Sequence, residues 1–240
     1  VGKTNILDAV HYLSMTKSFF NTSDGLSIKH GEDYFILKGW FVKDEETDEL
    51  FCAFQKQKQK VLKLNGKEYQ RISDHVGRYP VVMLSPADST LITGGSEERR
   101  RFLTMIISQY DPVYLEAHMR YNRALMQRNR ILREGGPDSA GMLEIYDDQM
   151  ALEAEVIYDA RMALTEELVP LFTSYYEKIS ASAEKVNMRY RSHLGRGDYR
   201  KQLIDSRERD RMLQYTTLGI HRDDLAFEID GHSARTTASQ

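Results

Sequence analysis

The chain has 240 residues, with 33 Lys+Arg against 36 Asp+Glu and a formal net charge of −3, so it is not a uniformly basic nucleic-acid binder, although local basic patches remain open to it. Hydrophobic residues make up 41% and charged residues 29%, a globular composition, and 15 Gly with 5 Pro are too few for a low-complexity chain. No apolar run reaches the length of a bilayer span, no charged-then-apolar leader is visible, and the single Cys52 rules out an internal disulfide or a multi-thiolate zinc site, which fits a reducing cytoplasm.

Residues 3–15 read as a helix, with Ile6, Val10 and Leu13 at helical spacing. Residues 16–32 are irregular and polar, with Asn21, Asp24 and Gly25 as turn formers. Tyr34–Val42, Leu50–Gln55 and Val61–Leu64 are short runs rich in β-branched and aromatic residues. Asn65-Gly66 after the third is a two-residue hairpin turn, because both positions tolerate positive φ. Val81–Leu84 reads as a strand buried on both faces. Residues 33–85 therefore predict a mostly antiparallel sheet region.

From Ser96 the pattern turns helical. Ser96, with Glu98 and Arg99 behind it, marks a helix start, and that helix would set Phe102, Met105 and Ile106 on one face. Asp111-Pro112 opens the next helix, which runs to about Glu134. Gly135-Gly136-Pro137-Asp138 breaks it. A second long helix follows from about Met142 to Ile179, with Pro170 as the point where it would bend. Two long helices joined by a short Gly/Pro loop predict an antiparallel hairpin. Residues 185–190 read as a strand, Asp198–Leu213 as a short charged helix, and Leu225–Ile229 with Asp230-Gly231 as a strand and turn. The order predicts an α/β core interrupted by a helical lobe at about 95–180.

The chain opens Val1-Gly2-Lys3-Thr4-Asn5 directly before the first helix, the second half of the phosphate-loop pattern G-x-x-x-x-G-K-[ST]. Gly2 would let the backbone approach phosphate oxygens, and the N–H groups of the helix start would attract an anion. Lys3 would reach the outer phosphates, and Thr4 offers a hydroxyl to Mg²⁺. Taken alone, Gly-Lys-Thr is more often an ordinary helix start. Residue 1 is Val rather than Met, and residues 236–240 stop without a polar tail. Both ends read as cut from a longer chain, and the 240 residues alone are expected neither to hydrolyse ATP nor to bind it tightly.

The longer context is more specific. The segment from Gly2 to Ser14, followed by Thr16-Lys17-Ser18-Phe19, resembles the opening of the RecF family of bacterial DNA replication and repair proteins. Further similar motifs follow in order: Leu64-Asn65-Gly66-Lys67, Ser85-Pro86-Ala87-Asp88, Glu98 to Leu103, Ser108 to Leu115, Tyr121 to Asn129, His221-Arg222-Asp223-Asp224-Leu225 and Ala238-Ser239-Gln240. Ile220 stands where the family usually has Pro, and Thr104 where it more often has Asp.

The resemblance implies an α/β fold of the ABC type: a P-loop ATPase head of mixed sheet with an antiparallel portion, interrupted by a helical lobe. The domains would be 1–95 (head), 96–182 (lobe) and 183–240 (return to the head). It implies ATP and Mg²⁺ held by Val1, Gly2, Lys3, Thr4 and Asn5. Ser239 and Gln240 would begin the signature motif that reaches the γ-phosphate of a second copy. The family's acidic Walker B pair lies beyond Gln240, so no catalytic carboxylate is named. It further implies weak DNA-dependent ATPase activity, ATP-driven homodimerisation, binding of single- and double-stranded DNA, and RecO and RecR as partners. Promotion of RecA loading at gaps, a part in the SOS response to DNA damage and a cytoplasmic location complete the set.

Arg120, Arg123, Arg130 and Arg133 share one side of the first long helix, opposite Tyr121, Leu125 and Leu132. They are candidates for phosphate contacts with DNA. The facing helix is rich in Glu and Asp, so surface ion pairs account for them equally well. An architectural or protein-interaction head without DNA binding is the corresponding alternative function. Of Arg99-Arg100-Arg101, one is expected to turn inward to an ion pair. His221 is expected in a structural hydrogen-bond network, and Tyr110, Tyr114 and Tyr121 as packing aromatics. None of the 7 His pairs at the spacing of a helical zinc site.

Overall fold

The computed structural model describes residues 2–136, 139–180 and 184–237. The chain falls into two compact units, residues 1–85 and 86–240.

In the first unit, α1 (Lys3–Met15) begins and ends where the periodicity places it. Thr16 adopts the left-handed conformation and donates its N–H to Tyr12 O, closing the helix. Four strands follow: β1 (Tyr34–Lys43), β2 (Glu46–Gln55), β3 (Val61–Leu64) and β4 (Lys67–Glu68), antiparallel in the order β1-β2-β3-β4. Asn65 and Gly66 both have positive φ, as the expected hairpin turn requires. The β1–β2 turn is of the same kind, at Asp44-Glu45, so β2 extends four residues earlier than its apolar run, through Glu46–Glu49. The core gathers Tyr12 and Leu13 of α1 with Leu50, Cys52, Leu62 and Tyr79. Gly39 permits the close approach of helix to sheet, since a Cβ there would lie 2.8 Å from Leu13 Cδ1. Alternate residues Tyr34, Ile36, Trp40 and Val42 face solvent.

Val81–Leu84 is not a strand. No strand pairs with it among the described residues, and Val82 and Leu84 are exposed. A strand exists through its ladder, and among the described residues no ladder includes positions 81–84, whatever their propensity.

The second unit contains α2 (Thr90–Thr93), α3 (Ser96–Ile107), α4 (Pro112–Glu134), α5 (Ser139–Ser180), β5 (Val186–Arg191), α6 (Tyr199–Asp205), α7 (Arg207–Leu213), β6 (Asp224–Ile229), β7 (His232–Ser233) and α8 (Ala234–Thr237). Asp111 caps α4 by accepting from Tyr114 N at 2.9 Å, with Pro112 at the first helical position. The helices α4 and α5 form the expected antiparallel hairpin, with Arg120 meeting Glu153 and Arg128 meeting Asp147. The helix α5 continues through Pro170. Pro137 and Asp138 of the expected breaker lie outside the described residues.

Two differences from the sequence reading are physical. Asp198–Leu213 is two helices, because Ser206 closes α6 and Asp198 caps it through Lys201 N. The buried stripe of α3 is Arg99, Leu103 and Ile107, with Phe102 and Ile106 only partly buried beside it. Arg99 turns inward to Asp224 and draws the stripe one position round the helix. The strands β5-β6-β7 form a three-stranded antiparallel sheet, with Val186–Arg191 opposite Asp224–Ile229.

Candidate functional site: a helix start and an arginine-tied hairpin

At the start of α1, Gly2 has φ 96, a conformation open to glycine and strained for other residues. Ile6 N donates to Gly2 O at 3.2 Å, and among the described residues the N–H groups of Lys3, Thr4 and Asn5 have no intrahelical acceptor. Among the described residues no side chain caps them, and no acidic residue occupies the first turn. Lys3, Thr4 and Asn5 are all exposed. Uncapped donors, a helix dipole, a lysine and a hydroxyl converge at one point, which is the donor set an oxyanion of a triphosphate needs.

The segment behind the helix is fixed to it. Asp8 accepts from Phe19 N and from the Ser18 hydroxyl, both at 2.7 Å. Tyr12 donates to Asp24 at 2.6 Å, and Lys60 pairs with the same carboxylate at 2.8 Å. The motif residues Lys17-Ser18-Phe19 thus serve to close the loop onto α1. Val1 of the expected phosphate loop, and Ser239 and Gln240 of the expected signature, lie outside the described residues.

Within the second unit, the helical hairpin is tied to the later segments by buried charges. Arg128, fully buried, donates to Asp147 at 2.6 Å, Asp210 at 2.7 Å and Thr216 Oγ1 at 2.8 Å. Arg161, also buried, donates to Ile220 O at 3.0 Å and meets Asp223 at 3.3 Å. Burial pushes the Asp223 carboxyl up, opposed by the Tyr190 hydroxyl bonded to it and by Arg161. Arg99 pairs with Asp224 at 2.6 Å, the one inward ion pair expected of the three adjacent arginines, and Arg100 donates to Asp223 O at 2.7 Å. No motif or spacing in the sequence marks Arg128 or Arg161 as a buried tie, beyond Arg128 falling off the arginine face of its own helix.

The four candidate DNA-contacting arginines are not equivalent. Arg120 is held by Glu153 at 2.5 and 2.8 Å and approaches Glu116 at 3.4 Å, which lifts its pKa. Arg130 pairs with Glu134 one turn on, at 2.9 Å. Arg123 and Arg133 are exposed and form no ion pair among the described residues. The helix does bury Tyr121 and Leu132 on the opposite side, as its periodicity requires.

His221 sits in a structural relay, as the sequence predicts. Its Nε2 donates to Thr216 O at 3.1 Å, which leaves Nδ1 to accept from the Tyr121 hydroxyl at 2.8 Å. Burial pushes the ring down to about 4, and Arg222 and Arg100 act in the same direction. The fold therefore holds the neutral ring, while the unfolded imidazole titrates near its ordinary 6.5. This contribution is complete above pH 6.5 and is lost as pH falls towards 4. Between pH 7 and pH 5 it removes about 2 kcal/mol of stability. Urea midpoints at the two pH values, compared with those of His221→Gln, should show the larger pH dependence in the unaltered protein; equal dependence would remove His221 as the cause.

Among the described residues, no group of three or more His, Cys, Asp and Glu side chains is arranged to hold a metal ion, and no helix is long and apolar enough to cross a membrane.

A glycine-lysine-threonine helix start backed by an antiparallel sheet, with a long helical hairpin following in the chain, defines the head of an ABC-type ATPase carrying a helical lobe. No protein-family profile matches the chain. Over its whole length it is 44% identical to the DNA replication and repair protein RecF of Parabacteroides distasonis, and it is 40% identical to that of Flavobacterium johnsoniae, of which it covers 68%. It superposes on the recombination mediator protein RecF of the RecFOR pathway, in the RecF-ATPrS structure, with a TM-score of 0.89 and 28% identity, covering all of this chain and 67% of that one. The RecF-ATP structure gives the same score and identity, covering 98% of this chain and 66% of that one. The chain belongs to the RecF family. It spans 66% of the length of the Parabacteroides relative.

Proposed function

We propose that this chain forms the ATP-binding part of a RecF-type recombination mediator. The supporting observation is the uncapped start of α1, with Gly2 in the left-handed conformation and Lys3 and Thr4 in the first turn, in a chain of this family. Gly2 and the free N–H groups would seat the phosphates, Lys3 would neutralise the outer oxygens and Thr4 would hold Mg²⁺. The bound metal–nucleotide supplies the charge and the cleavable γ-phosphate. Ser239 and Gln240 of a second copy would complete the pocket. Residues 1–95 and 183–240 would then serve the head and 96–182 the lobe.

In this reading ATP drives homodimerisation, the dimer binds single- and double-stranded DNA, and slow hydrolysis releases it. RecO and RecR would be its partners in loading RecA at gaps in the cytoplasm. Closure by ATP needs differential affinity for the dimer, which a nucleotide shared between two copies provides. Lys3→Ala in the intact protein should weaken ATP binding about tenfold or more and remove ATP-driven dimerisation, measured by calorimetry and light scattering. Retention of both would overturn the assignment.

The second reading, an architectural head whose lobe contacts proteins rather than DNA, draws support from Arg120 and Arg130, whose charges are already met by Glu153 and Glu134. Steep loss of DNA binding with rising salt separates the two, because release of counterions from phosphates is absent in apolar packing.

A further inference from the structure

We propose that a concavity between β5, the 192–197 loop and the single turn Ile220–Arg222 binds the phosphodiester backbone of DNA through Arg191, Arg196 and Arg222. The assignment rests on the DNA-binding reading above and relocates the contact away from α4.

The cavity measures about 390 Å³, and Arg191, His193, Arg196 and Arg222 lie along its wall. Arg196 and Arg222 are exposed and enter no ion pair among the described residues. Arg191 has one partner, Glu228 at 2.8 Å, at a solvent-exposed position. Asp224 is the lining carboxylate among the described residues, and Arg99 already holds it with two nitrogens at 2.6 and 3.3 Å. Three guanidiniums therefore surround a concave space whose acidic group is neutralised from behind. A concave wall of one sign focuses its field, and each planar fork matches two phosphate oxygens.

The wall is set before any ligand arrives. Gln202 Nε2 donates to His193 O and to Gly197 O, both at 3.1 Å, which pins the loop at two points. Gly219 N donates to His193 Nδ1 at 3.3 Å, so the neutral ring carries its proton on Nε2 as a further donor. Arg222 lies over the Tyr215 ring at 5.1 Å. Binding then requires little ordering of the chain.

A polyanion is favoured over a single small anion by Arg189. It is exposed and lies two residues before Arg191 on the same face of β5, about 6.6 Å beyond the cavity, on a face whose acid Glu228 is already paired with Arg191. On α4, Arg120 and Arg130 are committed to Glu153 and Glu134, which leaves Arg123 and Arg133, ten residues apart in the chain, whereas Arg196 and Arg222 line one cavity. Contacts of this type position a duplex without reading its bases.

The test uses the intact protein and a fluorescent duplex of mixed sequence, followed by anisotropy across a series of KCl concentrations. Arg196→Gln with Arg222→Gln should weaken binding about tenfold at low salt and lower the log–log salt slope by about 2, equally for unrelated sequences. Arg130→Gln should change neither, and ATP-driven dimerisation should persist. The Arg196→Lys, Arg222→Lys pair keeps the charges and should keep the slope, which separates charge from folding. An unaltered protein that binds duplex while the Gln pair retains its affinity and slope overturns the cleft assignment alone. Loss of ATP binding in the Gln pair with an unchanged duplex slope assigns the cleft to nucleotide and overturns it too. Failure of the unaltered protein to bind duplex overturns the DNA reading and this assignment with it.

Discussion

Gly219→Ala should destabilise the protein by about 3–5 kcal/mol, read as a lower urea midpoint or a melting temperature about 10 °C down. Gly219 has φ 132 and ψ −179, a region essentially reserved for glycine. An added Cβ would lie 2.0 Å from the Tyr199 hydroxyl and 2.4 Å from that of Tyr121. Neither tyrosine has room to withdraw. Both rings are buried, Tyr199 donates to Leu218 O at 3.0 Å, and Tyr121 donates to His221. The substitution must therefore break the relay or move the 216–222 segment off the hairpin. Gly195→Ala is the matched control: its Cβ would meet Tyr158 Oη at 3.5 Å, an ordinary contact, and it should cost under about 1 kcal/mol. A Gly219→Ala protein as stable as the control would show that the tyrosine pair yields and that the glycine is not required.

The elements that were legible in the sequence are those whose information is local. The helix α1 was bounded correctly because its apolar spacing ends at Met15, and α4 because Asp111-Pro112 and Gly135 are chemical start and stop marks. Asn65-Gly66 fixed its own hairpin through two positive φ values. What escaped depends on residues far apart in the chain. Val81–Leu84 carries strand propensity but joins no ladder among the described residues. One of Arg99-Arg100-Arg101 was expected to turn inward, but which one and to what partner was not legible, because Asp224 lies 125 residues from Arg99 in sequence and at 2.6 Å in space. At the candidate site the glycine-lysine-threonine helix start was legible, since it is a contiguous pattern, whereas the proposed cleft joins residues 191, 196 and 222 from separate segments. The arginine stripe of α4 was visible as periodicity, but periodicity cannot tell a free guanidinium from one already facing Glu153.

The same distinction predicts opposite outcomes for two arginines two residues apart on α4. Arg128→Met should destabilise by about 3–5 kcal/mol, because it leaves the fully buried carboxylate of Asp210 without its cation and that of Asp147 with Arg207 alone. Arg130→Met removes an exposed pair with Glu134 and should change stability by no more than about 0.5 kcal/mol. Arg128→Lys tests whether charge alone suffices. A single ammonium is compact, whereas the guanidinium reaches Asp147 through Nε and both Asp210 and Thr216 through Nη1. The Lys variant should therefore recover only part of the loss, and urea midpoints for the three proteins settle the order. Full recovery by Lys would reduce the site to simple charge neutralisation. Partial recovery would mean that the fork geometry matters: Asp147 lies on α5, Asp210 on α7 and Thr216 in the segment leading to His221, so one side chain of α4 fixes three later elements at once. Breaking that junction should also loosen the 216–222 turn whose Arg222 lines the cleft, so Arg128→Met should weaken duplex binding without any direct contact to DNA.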